Sequence, residues 1–389
     1  MRRLAVVLVL AIALASRPAH AQARPESGAF VVRLGTDTLG VERYTRTAAR
    51  LEGEVAARSP RTSLRRYVAE FSPEGALSRL EVIALRVGAP ADAPPLQRVT
   101  AVVGADSIRV EIRRGDSVLT SAIPAVEGLL PTIGGVYAPY ELFTMRARQA
   151  RQDSLAVPAY GLGARATGVV RLTRLERDSL RVAAGMGAYR VRADRRGRIL
   201  GLAAPGTTAQ VTVERVRSID LAAVVTAWAA RDAQGQAMGI LSPRDTVRAA
   251  VGGANLLVDY GRPSKRGREI FGNVVPVGAV WRTGANAATQ FRTDRDLTIG
   301  TLAVPAGTYT LWTLPTGRTS WELIVNRQTG QWGTAYDAAQ DLGRVPLAVE
   351  ALRGTVETFT IGVLAPSATG GVLSFDWDRT RLSVPFVVR

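Results

Sequence analysis

The residues best equipped for chemistry sit in one segment, Val258–Asn286, which reads VDYGRPSKRGREIFGNVVPVGAVWRTGAN. Arg262, Arg268 and Arg282 fall among glycines and prolines rather than inside a regular strand pattern. A guanidinium in such a loop presents a planar fork that matches a carboxylate, sulfate or phosphate. Asn286 follows a Gly-Ala turn, and its amide can both donate and accept toward a sugar hydroxyl. Trp281 and Trp332 offer rings that can stack on an apolar ring face. These six residues make a candidate polar ligand pocket. A plainer arrangement suits them equally well. The arginines can pair with Asp259, Glu269 and Asp341 to brace long loops, while the tryptophans fill a β-domain core.

Two acid pairs invite a separate test. Asp376 and Asp378, and likewise Asp294 and Asp296, are two residues apart and would share a face if each pair lay on a strand. Paired carboxylates support glycoside hydrolysis when they stand about 5–9.5 Å apart. Solvated strand ends explain the same spacing. Arg114-Gly115-Asp116-Ser117 resembles an adhesion tetrapeptide, but its place between two β-rich runs marks it as a turn. Gly252-Gly253 and Gly161-Leu162-Gly163 lack the Lys-Ser/Thr of a phosphate loop.

What is missing excludes more chemistry than what is present suggests. The chain has no cysteine, and its one histidine is His20. Past that residue there is no Cys/His zinc site, no Cys-ligated iron–sulfur cluster and no His-ligated haem. Ser-His-Asp and Cys-His catalysis are excluded on the same ground. No EF-hand-like acidic loop is present either. The expectation is therefore no metal and no cofactor, with the catalytic residues, if any, unknown.

The first 21 residues read as an export signal. Met1-Arg2-Arg3 is a basic start, Leu4–Ala15 is apolar, and Ala19-His20-Ala21 is a small-x-small cleavage site. Twelve apolar residues are too few to span a bilayer core of ~30 Å. Cleavage near Ala21 leaves 368 of the 389 residues, and the expected location is periplasmic or secreted. No later run reaches a spanning length, so no transmembrane helix is expected in the mature chain. The formal charge is +17, and the leader carries three arginines and no acid, which leaves +14. Arginine supplies nearly all of it, Lys265 being the one lysine. The arginines are scattered, without a dense run or interleaved aromatics, so nucleic acid is not an expected partner.

The elements that must position these residues are nearly all strands. From Phe30 to Val216, short β-rich runs alternate with turn signals such as Gly35-Thr36-Asp37-Thr38 and Asp194-Arg195-Arg196-Gly197. This predicts a curved antiparallel meander of roughly ten strands over 28–218. Val136–Gln152 interrupts it as a short helix. Asp220–Asp232 predicts a helical linker within 219–242. Beyond it the composition shifts, with five of the six tryptophans and all four asparagines after Ser242. At least eight short strands there, among them Pro346–Leu352, Glu357–Val363, Val372–Asp376 and Arg381–Val387, predict a β-sandwich or jelly-roll-like domain over 243–389. The fold class is all-β.

Several of these pieces also carry a resemblance. Asp259-Tyr260-Gly261-Arg262-Pro263, then Lys265–Gly272, Trp281–Asn286, Pro305–Tyr309 and Gln331-Trp332-Gly333 follow in order. Residues 244–389 resemble the bacterial domain-of-unknown-function family numbered 2911. The resemblance implies a β-sandwich in an exported protein and assigns no activity. The sequence departs from the family pattern after Gly333, where Thr334-Ala335-Tyr336 stands in place of an aromatic-rich run.

Three functions fit these observations. One is a non-catalytic binding module taking a small polar or anionic ligand at Arg262, Arg268, Trp281, Arg282, Asn286 and Trp332. Another is a carboxylate-dependent hydrolase of cell-envelope glycans. The third is a carrier that cradles a lipid or other apolar ligand on the curved N-terminal sheet.

Overall fold

A computed structural model describes residues 25–389 apart from 91, 151, 177, 185–186, 205–209 and 365–366. The expected export signal lies outside the described residues. The fold is all-β, with two large sheets and two helices.

The first sheet has fifteen strands where about ten were expected. In chain order they are β1 (Glu26–Leu34), β2 (Asp37–Arg46), β3 (Arg50–Ala57), β4 (Ser63–Phe71), β5 (Leu77–Leu85), β6 (Gln97–Val103), β7 (Ser107–Arg114), β8 (Ser117–Pro124) and β9 (Leu130–Thr132). After helix α1 (Tyr140–Ala150) come β10 (Ser154–Gly161), β11 (Gly168–Arg174), β12 (Ser179–Ala184), β13 (Gly187–Ala193), β14 (Ile199–Ala203) and β15 (Val211–Val216). Neighbours in sequence pair antiparallel, β15 closes onto β1, and β9 joins β10 in parallel. The sheet curls far enough for the Leu77 amide to donate to the Leu129 carbonyl at 2.8 Å. Strands β6 to β8 extend beyond that contact as a wing.

The concave face is not open. Leu129, Leu130, Ile133, Val136, Ala138, Phe143 and Ala147 fill it and join the core made by Phe30, Leu51, Leu80 and Leu172. The lead-in and helix α1 thus occupy the space that a lipid cradle over this sheet requires. Helix α1 forms because Leu, Met, Arg, Ala and Gln are good helix formers and Pro139 stands at its start.

Two buried carboxylates fasten this plug. Glu42 on β2 accepts from the Tyr67 hydroxyl at 2.6 Å and from the Tyr137 and Ala138 amides at 2.7 and 3.1 Å. Glu141 on α1 accepts from the Tyr44 hydroxyl at 2.5 Å and the Ile199 amide at 2.8 Å, and it pairs with Arg215. Gly28, Tyr44, Gly53 and Tyr67 lie directly opposite one another across four strands. A side chain at Gly28 or Gly53 would overlap the neighbouring tyrosine, so the glycines let both rings lie across the sheet and reach the carboxylates.

Helix α2 (Leu221–Ala233) covers the outer face, placing Leu221, Val225 and Trp228 on Val41 and Ala56. Asp220 caps it by accepting from the Ala223 amide at 3.0 Å.

The second sheet has nine strands: β16 (Arg244–Val251), β17 (Ala254–Gly261), β18 (Thr289–Thr293), β19 (Leu297–Ile299), β20 (Leu302–Val304), β21 (Gly307–Pro315), β22 (Trp321–Asn326), β23 (Asp341–Leu364) and β24 (Gly370–Val388). Its order is β16-β17-β18-β21-β22-β23-β24-β19-β20. The four short strands expected beyond Val345 are two long ones. Gly354 and Asp378, which fall between those expected strands, are irregularities inside one bent hairpin, with register shifts between Ala351 and Thr360. The bend folds the sheet over a core that includes Tyr260, Trp281, Phe291, Phe359, Phe375 and Trp377.

The two sheets touch through the β1–β2 turn. The Thr36 amide donates to the Arg266 carbonyl at 3.0 Å, and Arg266 pairs with Asp37. Gln210 also donates to Asn273 at 2.7 Å.

Candidate functional site

The turn Trp281–Asn286 is shaped by its backbone. Thr283 and Asn286 both adopt positive φ, 51° and 64°, a region that Asn tolerates better than most residues. Trp281 exchanges two backbone hydrogen bonds with Thr313, at 2.8 and 2.9 Å, which ties the turn's start to β21. The Thr289 hydroxyl closes its far side onto the Thr283 carbonyl at 2.6 Å.

This anchoring sends the two residues at its start in opposite directions. Trp281 points inward and is 4% exposed. Its ring stacks on Trp377, with centroids 5.7 Å apart, and meets Phe359 edge-on at 5.1 Å. Trp281 is therefore a core residue and not a ligand platform, which corrects the sequence expectation. Arg282 points outward and is half-buried. Its Nη1 donates to the Asn286 carbonyl at 3.3 Å, and Gly333 lies against its stem so closely that a β-carbon there would overlap Cδ. No carboxylate of the described residues lies within ion-pairing distance of it. Burial holds its pKa below the usual arginine value; a guanidinium in a protein stays charged at any ordinary pH.

The other loop arginines are committed. Arg262 donates to the Asp245 carboxylate at 2.9 Å, the Thr360 hydroxyl at 2.9 Å and the Phe359 carbonyl at 3.2 Å. It is a brace, although its partner is Asp245 and not Asp259, which takes Arg244 instead. Arg268 is buried and donates to the Lys265 and Ser264 carbonyls at 3.0 and 2.6 Å, fixing the loop between β17 and Trp281. Neither Glu269 nor Asp341 serves the three arginines as an ion-pair partner among the described residues; Asp341 pairs with Arg344.

Asn286 is exposed. Its carbonyl accepts from the Gly333 amide at 2.9 Å, and its side-chain amide points to the Ser242 carbonyl at 3.5 Å. With Arg268 it lines a cavity of about 340 Å³ whose other walls include Leu34 and Ser59 of the first sheet and Ser242 of the linker. Trp332 bridges to Ala287 and is 46% exposed, and no cation–π contact joins it to Arg282 among the described residues. Tyr336, in the stretch that departs from the family pattern, packs on Trp312 at 5.1 Å and donates to Asp341. Of the six expected residues, then, the structure brings Arg282 and Asn286 together, with Arg268 behind them. Trp332 is held beside this turn through its bridge to Ala287, while Arg262 and Trp281 serve the fold.

The acid pairs are likewise engaged. Asp376 takes Arg381 through two hydrogen bonds of 2.8 and 2.6 Å, and Asp378 takes Lys265. Asp294 accepts from Asn255, and Asp296 accepts from the Ala306 amide. The positive φ of Asp378, 54°, breaks the alternation that would have aligned it with Asp376. Among the described residues no three of His, Cys, Asp or Glu are grouped to hold a metal ion. No helix among them is long and apolar enough to cross a membrane.

Sequence reasoning missed the buried carboxylates Glu42 and Glu141. A signal did exist for the first: Glu42, Tyr44 and Arg46 recur at every second residue and so share one strand face.

Residues 242–386 match the family model described as a protein of unknown function (DUF2911). No curated protein matches the chain. Among solved structures, a DUF1089 family protein from Pseudomonas aeruginosa is 14% identical, over 44% of this chain and 92% of that one, with a TM-score of 0.30. A β-barrel-like protein of domain of unknown function DUF1849 from Brucella abortus is 8% identical, over 49% and 95%, with a TM-score of 0.34. Likenesses this distant assign no activity.

Proposed function

We propose that this is an exported bacterial protein whose C-terminal domain is a non-catalytic module binding a small polar or anionic ligand at Arg282 and Asn286. The observation that carries the reading is the unmatched charge on Arg282. Arg262 and Arg266 in the neighbouring loop each hold a carboxylate, whereas Arg282 is half-buried, held by one backbone carbonyl and faced by no acid among the described residues. A desolvated guanidinium without a counter-ion gains most from an incoming carboxylate, sulfate or phosphate. Asn286, whose backbone carbonyl receives the guanidinium, is exposed, and its side-chain amide, turned toward the Ser242 carbonyl at 3.5 Å, can select a hydroxyl or amide on a ligand that reaches it. Export rests on the basic, apolar and small-x-small pattern of residues 1–21.

Calorimetric titration of the full chain with glucuronate, phosphate and sulfate tests the site. At least one should bind, and Arg282→Ala should weaken it tenfold or more while the melting temperature stays within a few degrees. Binding untouched by the substitution rules out this site. Loss of the folded domain in Arg282→Ala makes the residue a structural brace.

A further inference from the structure

A second cavity, of about 420 Å³, opens at one end of the first sheet between α1 and the strand-end loops. Its helical wall is the stripe Leu142, Met145, Arg146 and Gln149, spaced as one face of α1. This stripe lies beside the face that buries Phe143 and Ala147, and its first three residues are only half-buried. Ala48, Phe71 and Leu130 form the opposite wall. These apolar side chains share the lining with Glu26, Arg46, Thr47, Glu74, Arg146 and Gln149, the mixture of apolar wall and few polar groups that an amphiphilic ligand needs.

The charges around the cavity are unevenly matched. Arg46, buried at its base, pairs with Glu26 and lies 3.7 Å from Glu141. Glu74, at the rim, is exposed and is held below the usual carboxylate range by the Ser72 hydroxyl of its own turn. Arg146 has no carboxylate within ion-pairing distance among the described residues. Its two terminal nitrogens donate to the Gly128 and Gly75 carbonyls at 2.8 and 3.1 Å, which fixes the guanidinium plane and leaves further N–H groups. Burial shifts its pKa downward with no neighbouring charge to oppose it.

We propose that this cavity binds a single-chain amphiphile with a carboxylate head. The head sits on Arg146, and the aliphatic tail runs along Leu142, Met145, Leu130 and Phe71. Ala48, Phe71, Leu142 and Met145 give the tail its wall, and of the two arginines in the lining Arg146 is the one not paired with a carboxylate among the described residues. A neutral lipid would leave the cation unmatched, and a cationic amphiphile would be repelled by it. The site is separate from the C-terminal turn, so the two readings stand or fall independently.

Titration of the full chain with decanoate, below its micelle concentration, tests the proposal. Saturable one-to-one binding is expected, with decyltrimethylammonium binding at least tenfold more weakly. Arg146→Gln should weaken decanoate tenfold or more, and Arg146→Lys should retain most of the affinity because the charge is kept. Absence of saturable decanoate binding by the unmodified chain overturns the proposal. So does equal affinity for the two amphiphiles, or an Arg146→Gln protein that binds as before.

Discussion

Glu42 is a carboxyl that the fold moves into the neutral pH range. Burial raises its pKa from 4.5 to about 7, in spite of three donated hydrogen bonds and with a further push from Glu141. The groups facing it are Tyr67 and Arg65 on β4, Glu141 on α1, and the amides of Tyr137 and Ala138. A carboxyl raised in the folded state stabilises that state fully below the unfolded pKa near 4.5, and the contribution is lost as pH rises through 7. The linked change between pH 5 and pH 8 is about 2–3 kcal/mol. Urea unfolding at the two pH values should show this fall in the unmodified protein and a flatter dependence in Glu42→Gln. Equal slopes would mean that Glu42 does not titrate in this window. At this scale, side-chain type was legible in the sequence and direction was not. Loop arginines and Asn286 announced a polar surface, yet only the Trp281–Thr313 pairing decides that Trp281 turns inward and Arg282 outward. The partner of Arg262 was unreadable for a related reason. Asp245 and Asp259 stand on neighbouring strands, and a small difference in geometry gives one to Arg262 and the other to Arg244.

Among the elements, α1 matters most, because it turns a curved sheet into a closed core. Phe143 is fully buried within the first sheet's hydrophobic cluster. Phe143→Ala should cost about 3–5 kcal/mol, the range for removing a large aromatic side chain from a packed core. Denaturant unfolding measures the loss, and a cost below about 1 kcal/mol would mean that the helix is a surface element. The sequence marked a short helix in this region because its composition departs from the β pattern around it. Whether this segment covers the sheet's face or leaves it open stayed undecided in the sequence, since the tie that decides it comes from Glu42, nearly a hundred residues away. Strand continuity was hidden for a different reason. Arg353-Gly354 and Asp378 carry turn residues, and local propensity cannot distinguish a turn that ends a strand from an irregularity within one. The alternating hairpins of the meander, by contrast, depend on local pairing, and the all-β class follows from them directly.

For the whole molecule, what matters is whether the two sheets behave as one body. Their described contacts are polar: the β1–β2 turn meets the loop that carries Lys265 to Arg268, and Gln210 donates to Asn273. The Asp37–Arg266 pair is partly shielded, with side chains 34% and 14% exposed, so it contributes more than a surface pair and less than a buried one. The same loop holds Arg268 behind Asn286, and both line a cavity whose other walls include Leu34 and Ser59 of the first sheet. Asp37→Arg places two guanidiniums face to face and replaces the attraction with repulsion. If the contact couples the sheets, calorimetric melting of the unmodified chain is one transition and that of Asp37→Arg resolves into two. One transition in both proteins would mean that α2 and the linker alone fix the arrangement. Two transitions in the unmodified chain would mean that the sheets are independent modules, each with its own site.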